Sequence, residues 1–197
     1  MYSLNNGADN YPYQIATDLV NGANGGCTPP AGGGCYPWNV SDAVSNQTKV
    51  KIILLNDPNV TDVSNNPFII RAGFNVTSPG AVVWKSSLFE TIRWQKKGSI
   101  TNVKLEYSRN SFADETQTAL INVSANNGSN TAVQNGADGD CTALAGEGCY
   151  VWKVAEAGVS ETVKIRVSDA NDANSKKLSS QFQIRPVFTV TAPDAGT

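Results

Sequence analysis

Histidine is missing from the 197 residues, methionine occurs once, at position 1, and charged residues make up 16% of the chain, with a formal net charge of -2. Without imidazole the usual general base and a common metal ligand are gone, so a serine triad or a Cys–His pair is excluded. Lysine and arginine never cluster beyond the pairs Lys96-Lys97 and Lys176-Lys177, whereas a nucleic-acid footprint needs a basic stripe. No run approaches the roughly 18 apolar residues of a membrane span. The opening Met-Tyr-Ser-Leu-Asn-Asn lacks the basic and apolar regions of a signal peptide, so an export signal, if the protein is secreted, lies outside this chain.

What is present is stated twice. Cys27 to Trp38 (Cys-Thr-Pro-Pro-Ala-Gly-Gly-Gly-Cys-Tyr-Pro-Trp) returns as Cys141 to Trp152 (Cys-Thr-Ala-Leu-Ala-Gly-Glu-Gly-Cys-Tyr-Val-Trp). Asn21-Gly22-Ala23 and Asn135-Gly136-Ala137 precede the two copies at the same offset, and Phe68/Phe182, Ile70/Ile184, Phe74/Phe188 and Pro79/Pro193 follow at it. The offset of about 114 residues is a common domain size, which points to a repeated domain rather than a single-site enzyme.

Short alternating runs separated by Gly, Asn, Asp and Ser clusters predict an all-β chain. In the second copy strands are expected over 74–78, 91–95, 102–108, 119–123, 149–154, 163–168 and 181–185. Such a set fits tandem immunoglobulin-like or fibronectin-III-like β-sandwiches. Alternation turns Ile92/Trp94, Val103/Leu105/Tyr107, Tyr150/Trp152/Val154, Val163/Ile165/Val167 and Phe182/Ile184 inwards, and Arg93, Lys104, Glu106, Lys153, Lys164, Arg166 and Gln183 towards water. The domain reading is 1–74 as the later part of one repeat, 75–188 as a complete repeat, and 189–197 as the first strand of a third. Tyr2-Ser3 aligns with Tyr107-Ser108, so strands before it are missing from the first repeat. Tyr36, Trp38, Val50, Ile52, Leu54, Phe68 and Ile70 then lack an opposing sheet. Either the chain is a window on a longer repetitive protein or a neighbouring chain supplies strands.

All four cysteines lie in the doubled motif. Two local disulfides, Cys27–Cys35 and Cys141–Cys149, are expected, which implies an oxidising compartment; a zinc site would need four convergent ligands, and each copy offers two thiols. Cys149 falls out of phase with Tyr150 and Trp152, so each bridge should close a Gly-rich loop outside the core. Where the second copy has Arg166, Ser168 and Gln183, the first has Ile53, Leu55 and Ile69, given a one-residue slip before Val50. These three are expected to form one exposed apolar patch, an interface between repeats or copies.

Other chemistry is sparse. Asp138/Asp140 and Glu156/Glu161 read as solvated turn residues rather than a glycosidase pair. Asp57, Asn59 and Asp62, and likewise Asp169, Asn171 and Asp172, offer oxygen ligands that could hold Ca²⁺. They are also turn formers without EF-hand spacing, so no metal or cofactor is assigned. Trp84 is either a packing residue or a sugar platform. Sequons stand at Asn39, Asn46, Asn59, Asn75, Asn122 and Asn127. Lys51, Lys104 and Lys164 lie on the outward phase, which disfavours intramolecular Lys–Asn isopeptide bonds.

The second copy also carries Val76-Thr77-Ser78-Pro79-Gly80, Val83-Trp84, Thr91-Ile92-Arg93-Trp94, Val103 to Ser108, Cys149 to Trp152, Val163 to Ala170 and Phe182-Gln183-Ile184. With these residues it resembles the immunoglobulin/fibronectin-like repeats of large bacterial surface proteins, and is distantly similar to the Ser-Thr-rich membrane-anchored family. The resemblance covers 75–188 fully and 1–74 in part. It implies a non-enzymatic structural segment of an extracellular or cell-surface stalk, fibre or surface layer, whose partners are adjacent repeats or copies of itself. An adhesin or carbohydrate-binding module is the alternative.

Overall fold

The computed structural model of the protein describes residues 1–121, 133–138 and 140–192. The sequons Asn122 and Asn127, the end of the strand expected over 119–123, Pro193 and the rest of the 193–197 tail lie outside the described residues. The chain divides into two compact units, Met1–Arg71 and Ala72–Thr197, and both are built from β-strands.

Unit 1 holds β1 (Tyr2–Ser3), β2 (Ser45–Leu54), β3 (Asp57–Val63) and β4 (Phe68–Ile70) in one sheet, ordered β1-β2-β3 with β4 also on β2. Unit 2 holds β5 (Gly73–Ser78), β6 (Val83–Lys85), β7 (Phe89–Lys97), β8 (Asn102–Ser108), β9 (Thr118–Leu120), β10 (Val133–Gln134), β11 (Ala137–Asp138), β12 (Glu147–Lys153), β13 (Ser160–Asp169), β14 (Lys176–Leu178) and β15 (Phe182–Arg185). One sheet of unit 2 runs β10-β8-β13-β15-β6, with β14 on β13 and β9 on β8; the other runs β11-β12-β7-β5. The fold is thus all-β and sandwich-like.

The two sheets of unit 2 share one core. From β7 and β12 come Ile92, Trp94, Tyr150 and Trp152; from β8, β13 and β15 come Val103, Leu105, Tyr107, Val163, Ile165, Val167, Phe182 and Ile184, all buried. These are the residues that alternation turned inwards, and each large apolar side chain buried there contributes about 1.5–3 kcal/mol. Trp84 of β6 joins them, with ring centroids 6.2 Å from Trp152 and 5.0 Å from Phe182. Strands β6, β10, β11 and β14 were not expected: each is two or three residues long, too short for a period-2 pattern to register.

Two expectations about the outer face fail. Glu106 and Arg166 were assigned to water, yet Glu106 is buried and Arg166 half-buried. Arg166 sits opposite Glu106 in the β13–β8 register, and its Nε donates to Glu106 Oε2 at 2.9 Å while Nη1 and Nη2 reach Glu115 at 2.7 and 3.1 Å. Lys104 lies 2.6 Å from Glu106, and the Arg166 guanidinium lies over the Phe112 ring at 4.4 Å. The excursion that carries Phe112 and Glu115 therefore covers this part of the sheet. Cys149, also out of phase with the core, is fully buried, because β11 pairs alongside it in parallel.

Burial on its own would raise the Glu106 carboxyl, but hydrogen bonds from Arg166 and Lys104 outweigh it and hold it below the ordinary glutamate range; the Arg166 guanidinium is correspondingly held above its ordinary value, first by Glu115. A depressed carboxylate contributes stability that is complete above the ordinary glutamate value and is lost as pH falls through the folded-state value. Glu106→Gln should therefore cost about 1–3 kcal/mol at pH 7. The cost should shrink below about pH 4, as read by urea denaturation across pH.

Candidate interaction surface

A set of pairings in unit 1 matches pairings in unit 2. Cys35 bridges Ala23 in parallel and its N–H donates to Gly22 O at 2.9 Å; Cys149 pairs with Ala137 in parallel and its N–H donates to Gly136 O at 2.8 Å. Ser3 faces Lys49 as Ser108 faces Lys164. Thr48 faces Phe68 as Val163 faces Phe182. Ser64 Oγ accepts the Val50 N–H at 3.2 Å as Ser179 Oγ accepts the Ile165 N–H at 2.9 Å. Tyr2 lies 4.9 Å from Trp38, and Tyr107 lies 5.0 Å from Trp152.

These registers correct the alignment across β2. Lys51, not Ile53, takes the place of Arg166: Lys51 faces Val63 as Arg166 faces Leu178, next to Ser64 and Ser179. Ile53 thus falls at the position of Ser168, and it is half-buried, while Leu55 and Ile69 are exposed. Nor do the three form one patch. Phe68 faces Thr48, so Ile69 lies beside residues 46–47, whereas Ile53 and Leu55 lie at the far end of β2, about 20 Å away at the rise of an extended strand.

The apolar surface of unit 1 lies instead on the other face of β2. Val50, Ile52, Tyr2 and Phe68 occupy the phase that in unit 2 holds Ile165, Val167, Tyr107 and Phe182. Val167 is 0% exposed and Phe182 2%, but Ile52 is 70% exposed and Phe68 37%. Leu54 is exposed beyond a register shift after Ile53. Packing on this face is confined to one end, where Tyr13 stacks on Tyr2 at 4.8 Å and Phe68 meets Trp38 edge-on at 6.3 Å. The exposure is the one expected for Ile52, Leu54 and Phe68 if strands before Tyr2 are missing; Val50 is half-buried and Ile70 buried.

The other sequence candidates sit in local structure. Both disulfides are formed, Cys27–Cys35 and Cys141–Cys149, each with Cα atoms 6.1 Å apart. Asp57 Oδ1 accepts the Asn59 N–H at 3.1 Å, Asp62 Oδ1 its neighbour Val63 N–H at 2.9 Å, Asp169 Oδ1 the Asn171 N–H at 2.9 Å, and Asp172 Oδ1 the Asn174 N–H at 3.0 Å, so each of these carboxylates bonds backbone within two residues of itself. Glu156 accepts from Ser87 Oγ at 2.7 Å and Glu161 pairs with Arg185 at 3.3 Å; Asp140 is exposed, and the Asp138 side chain lies outside what is described. Trp84 is 5% exposed, which removes it as a sugar platform. Asn39, Asn46, Asn59 and Asn75 are exposed. Lys51, Lys104 and Lys164 are half-buried, with Lys51 over the Tyr11 ring at 5.7 Å and Lys104 paired to Glu106. Among the described residues no helix is long and apolar enough to cross a membrane.

No protein-family model matches the chain, and no curated protein matches it in sequence.

The contrast between the faces is measurable. Ile52→Ser should change stability by less than about 0.5 kcal/mol, whereas Val167→Ser at the matching buried position should cost about 2–3 kcal/mol, by guanidinium denaturation. Replacing Cys141 and Cys149 together by serine should remove about 2.6 kcal/mol from unit 2, the chain-entropy value for so small a loop, read in the same titration.

Proposed function

We propose that the chain is a structural, non-enzymatic segment of an extracellular fibre, stalk or surface-layer protein, built from immunoglobulin-like sandwich repeats of the kind found in large bacterial surface proteins. The observation that carries this reading is the matched set of pairings in the two units, from the Ala23–Cys35 and Ala137–Cys149 bridges to the Ser64 and Ser179 hydrogen bonds. Two successive segments of one chain with the same pairings are what a repeat array requires, each unit burying its own core or sharing one with a neighbour. Two disulfides favour an oxidising location outside the cytoplasm. The work of such a segment is mechanical and associative: sandwiches provide stiff length, and sheet faces provide end-to-end or lateral contact.

The adhesin or carbohydrate-binding alternative draws no support from Trp84, which is a core residue. Negative-stain microscopy paired with a glycan array separates the two readings. Elongated particles or filaments with a blank array are expected. Dispersed compact monomers with reproducible sugar binding would overturn the structural reading.

A further inference from the structure

Trp94 sits in a socket made by two residues of unit 2. It faces Gly148 across the β7–β12 register, it is fully buried, and its Nε1–H donates to Asn135 Oδ1 at 3.0 Å. Asn135 is held in turn by its Nδ2–H on Ile100 O at 3.2 Å. A Cβ at Gly148 would overlap the indole ring, so glycine is required there by the tryptophan. A buried indole N–H needs an acceptor, and Asn135 supplies it.

Unit 1 carries the same two residues without the tryptophan. Asn21 leads into the Ala23–Cys35 bridge as Asn135 leads into the Ala137–Cys149 pair, and Gly34 precedes Cys35 as Gly148 precedes Cys149. The Asn21 side chain is exposed and makes no hydrogen bond among the described residues. A Cβ at Gly34 would meet only ordinary contacts, Gly22 N and O at 3.5 Å and Asn21 Oδ1 at 3.8 Å, and the φ of Gly34 is one any residue adopts. Nothing within unit 1 asks for glycine at 34 or for asparagine at 21. The two nevertheless stand side by side, in the geometry of an open indole site.

The rest of the face agrees. Trp38 and Phe68 hold the positions of Trp152 and Phe182, and in unit 2 both of those rings pack on Trp84. Ile52, at the position of the fully buried Val167, is open to water. In unit 2 the two tryptophans that fill these places, Trp84 against Trp152 and Phe182 and Trp94 against Gly148, come from one stretch, residues 72–106, which holds β5, β6, β7 and most of β8.

We propose that the apolar face of unit 1, with Asn21 and Gly34 at its head, is the docking site for a polypeptide segment with the chemistry of residues 72–106. A strand carrying Ile-Arg-Trp would lie antiparallel to residues 33–39, its tryptophan opposite Gly34 and its indole N–H on Asn21 Oδ1. A second tryptophan at the spacing of Trp84 would close over Trp38 and Phe68. This is strand addition specified by a socket, and it deepens the repeat reading above, on which it rests, by naming what completes the unit.

The test joins a copy of residues 72–105 directly ahead of Met1 of the full chain and follows amide hydrogen exchange. Protection at Val50 to Ile53 should rise about 100-fold or more over the unaltered chain, with unit 2 amides serving as an internal reference for folding. Gly34→Leu and Asn21→Leu should each abolish most of that gain in the joined chain, and neither should change exchange in the unaltered one. Unchanged protection at Val50 to Ile53 while unit 2 stays protected overturns the proposal. So does a concentration-dependent dimer of the unaltered chain that Ile52→Lys abolishes, since the face would then belong to a second copy. Neither readout depends on filaments or sugar binding, so the proposal and the structural reading can fail separately.

Discussion

An apolar sheet face is stable in water only when a second layer covers it. In unit 2 the covering is keyed by one contact, the Trp94 indole lying against Gly148 with its N–H on Asn135. That contact fixes β7 against β12 and brings the segment before β11 under the ring, and the Lys96 ammonium adds a bond to Asn135 O. With β7 placed, Ile92 and Trp94 meet Val103, Leu105, Val163 and Ile165 from the other sheet, and the core closes. Unit 1 has the acceptor and the glycine but not the ring, and its sheet face stays open at Ile52.

The outer surfaces follow a different rule. On β8 and β13 the polar side chains are not simply left in water: Arg166, Glu106, Lys104 and Glu115 pair with one another under Phe112. A cationic group desolvated to this degree is tolerable because each of its three nitrogens donates to a carboxylate. The same arrangement ties the excursion between β8 and β9 to the sheet, so a charged cluster does there what an apolar cluster does inside. At the opposite sheet the Cys141–Cys149 disulfide beside β11, buried at Cys149, plays that part.

The core of unit 2 was legible because its strands are long enough for alternation to repeat. Every residue from Ile92 to Ile184 assigned inwards on that basis is buried. The short strands escaped because two or three residues carry no period. Glu106 and Arg166 escaped because a charge on the outer phase reads the same whether water or a folded-back loop covers it. The misplacement of Ile53 and Leu55 has a third cause: the alignment carried its slip in the wrong direction, and the register of β2 is set by pairings that sequence spacing does not reveal, among them the Ser64 and Ser179 hydrogen bonds. The doubled Asn and Gly positions were visible from the start, but their meaning depended on seeing Trp94 between them.

Near its two ends unit 2 is joined by β6 and β15, which run parallel, with the Gln183 N–H on Val82 O at 3.0 Å and the Ser86 N–H on Arg185 O at 2.9 Å. Tension applied through the two termini of the unit would draw these strands past each other lengthwise. Their hydrogen bonds would then be loaded together in shear rather than peeled one after another, so the pairing behaves as a mechanical clasp whose rupture, not the gradual fraying of an edge, limits the force the unit can carry.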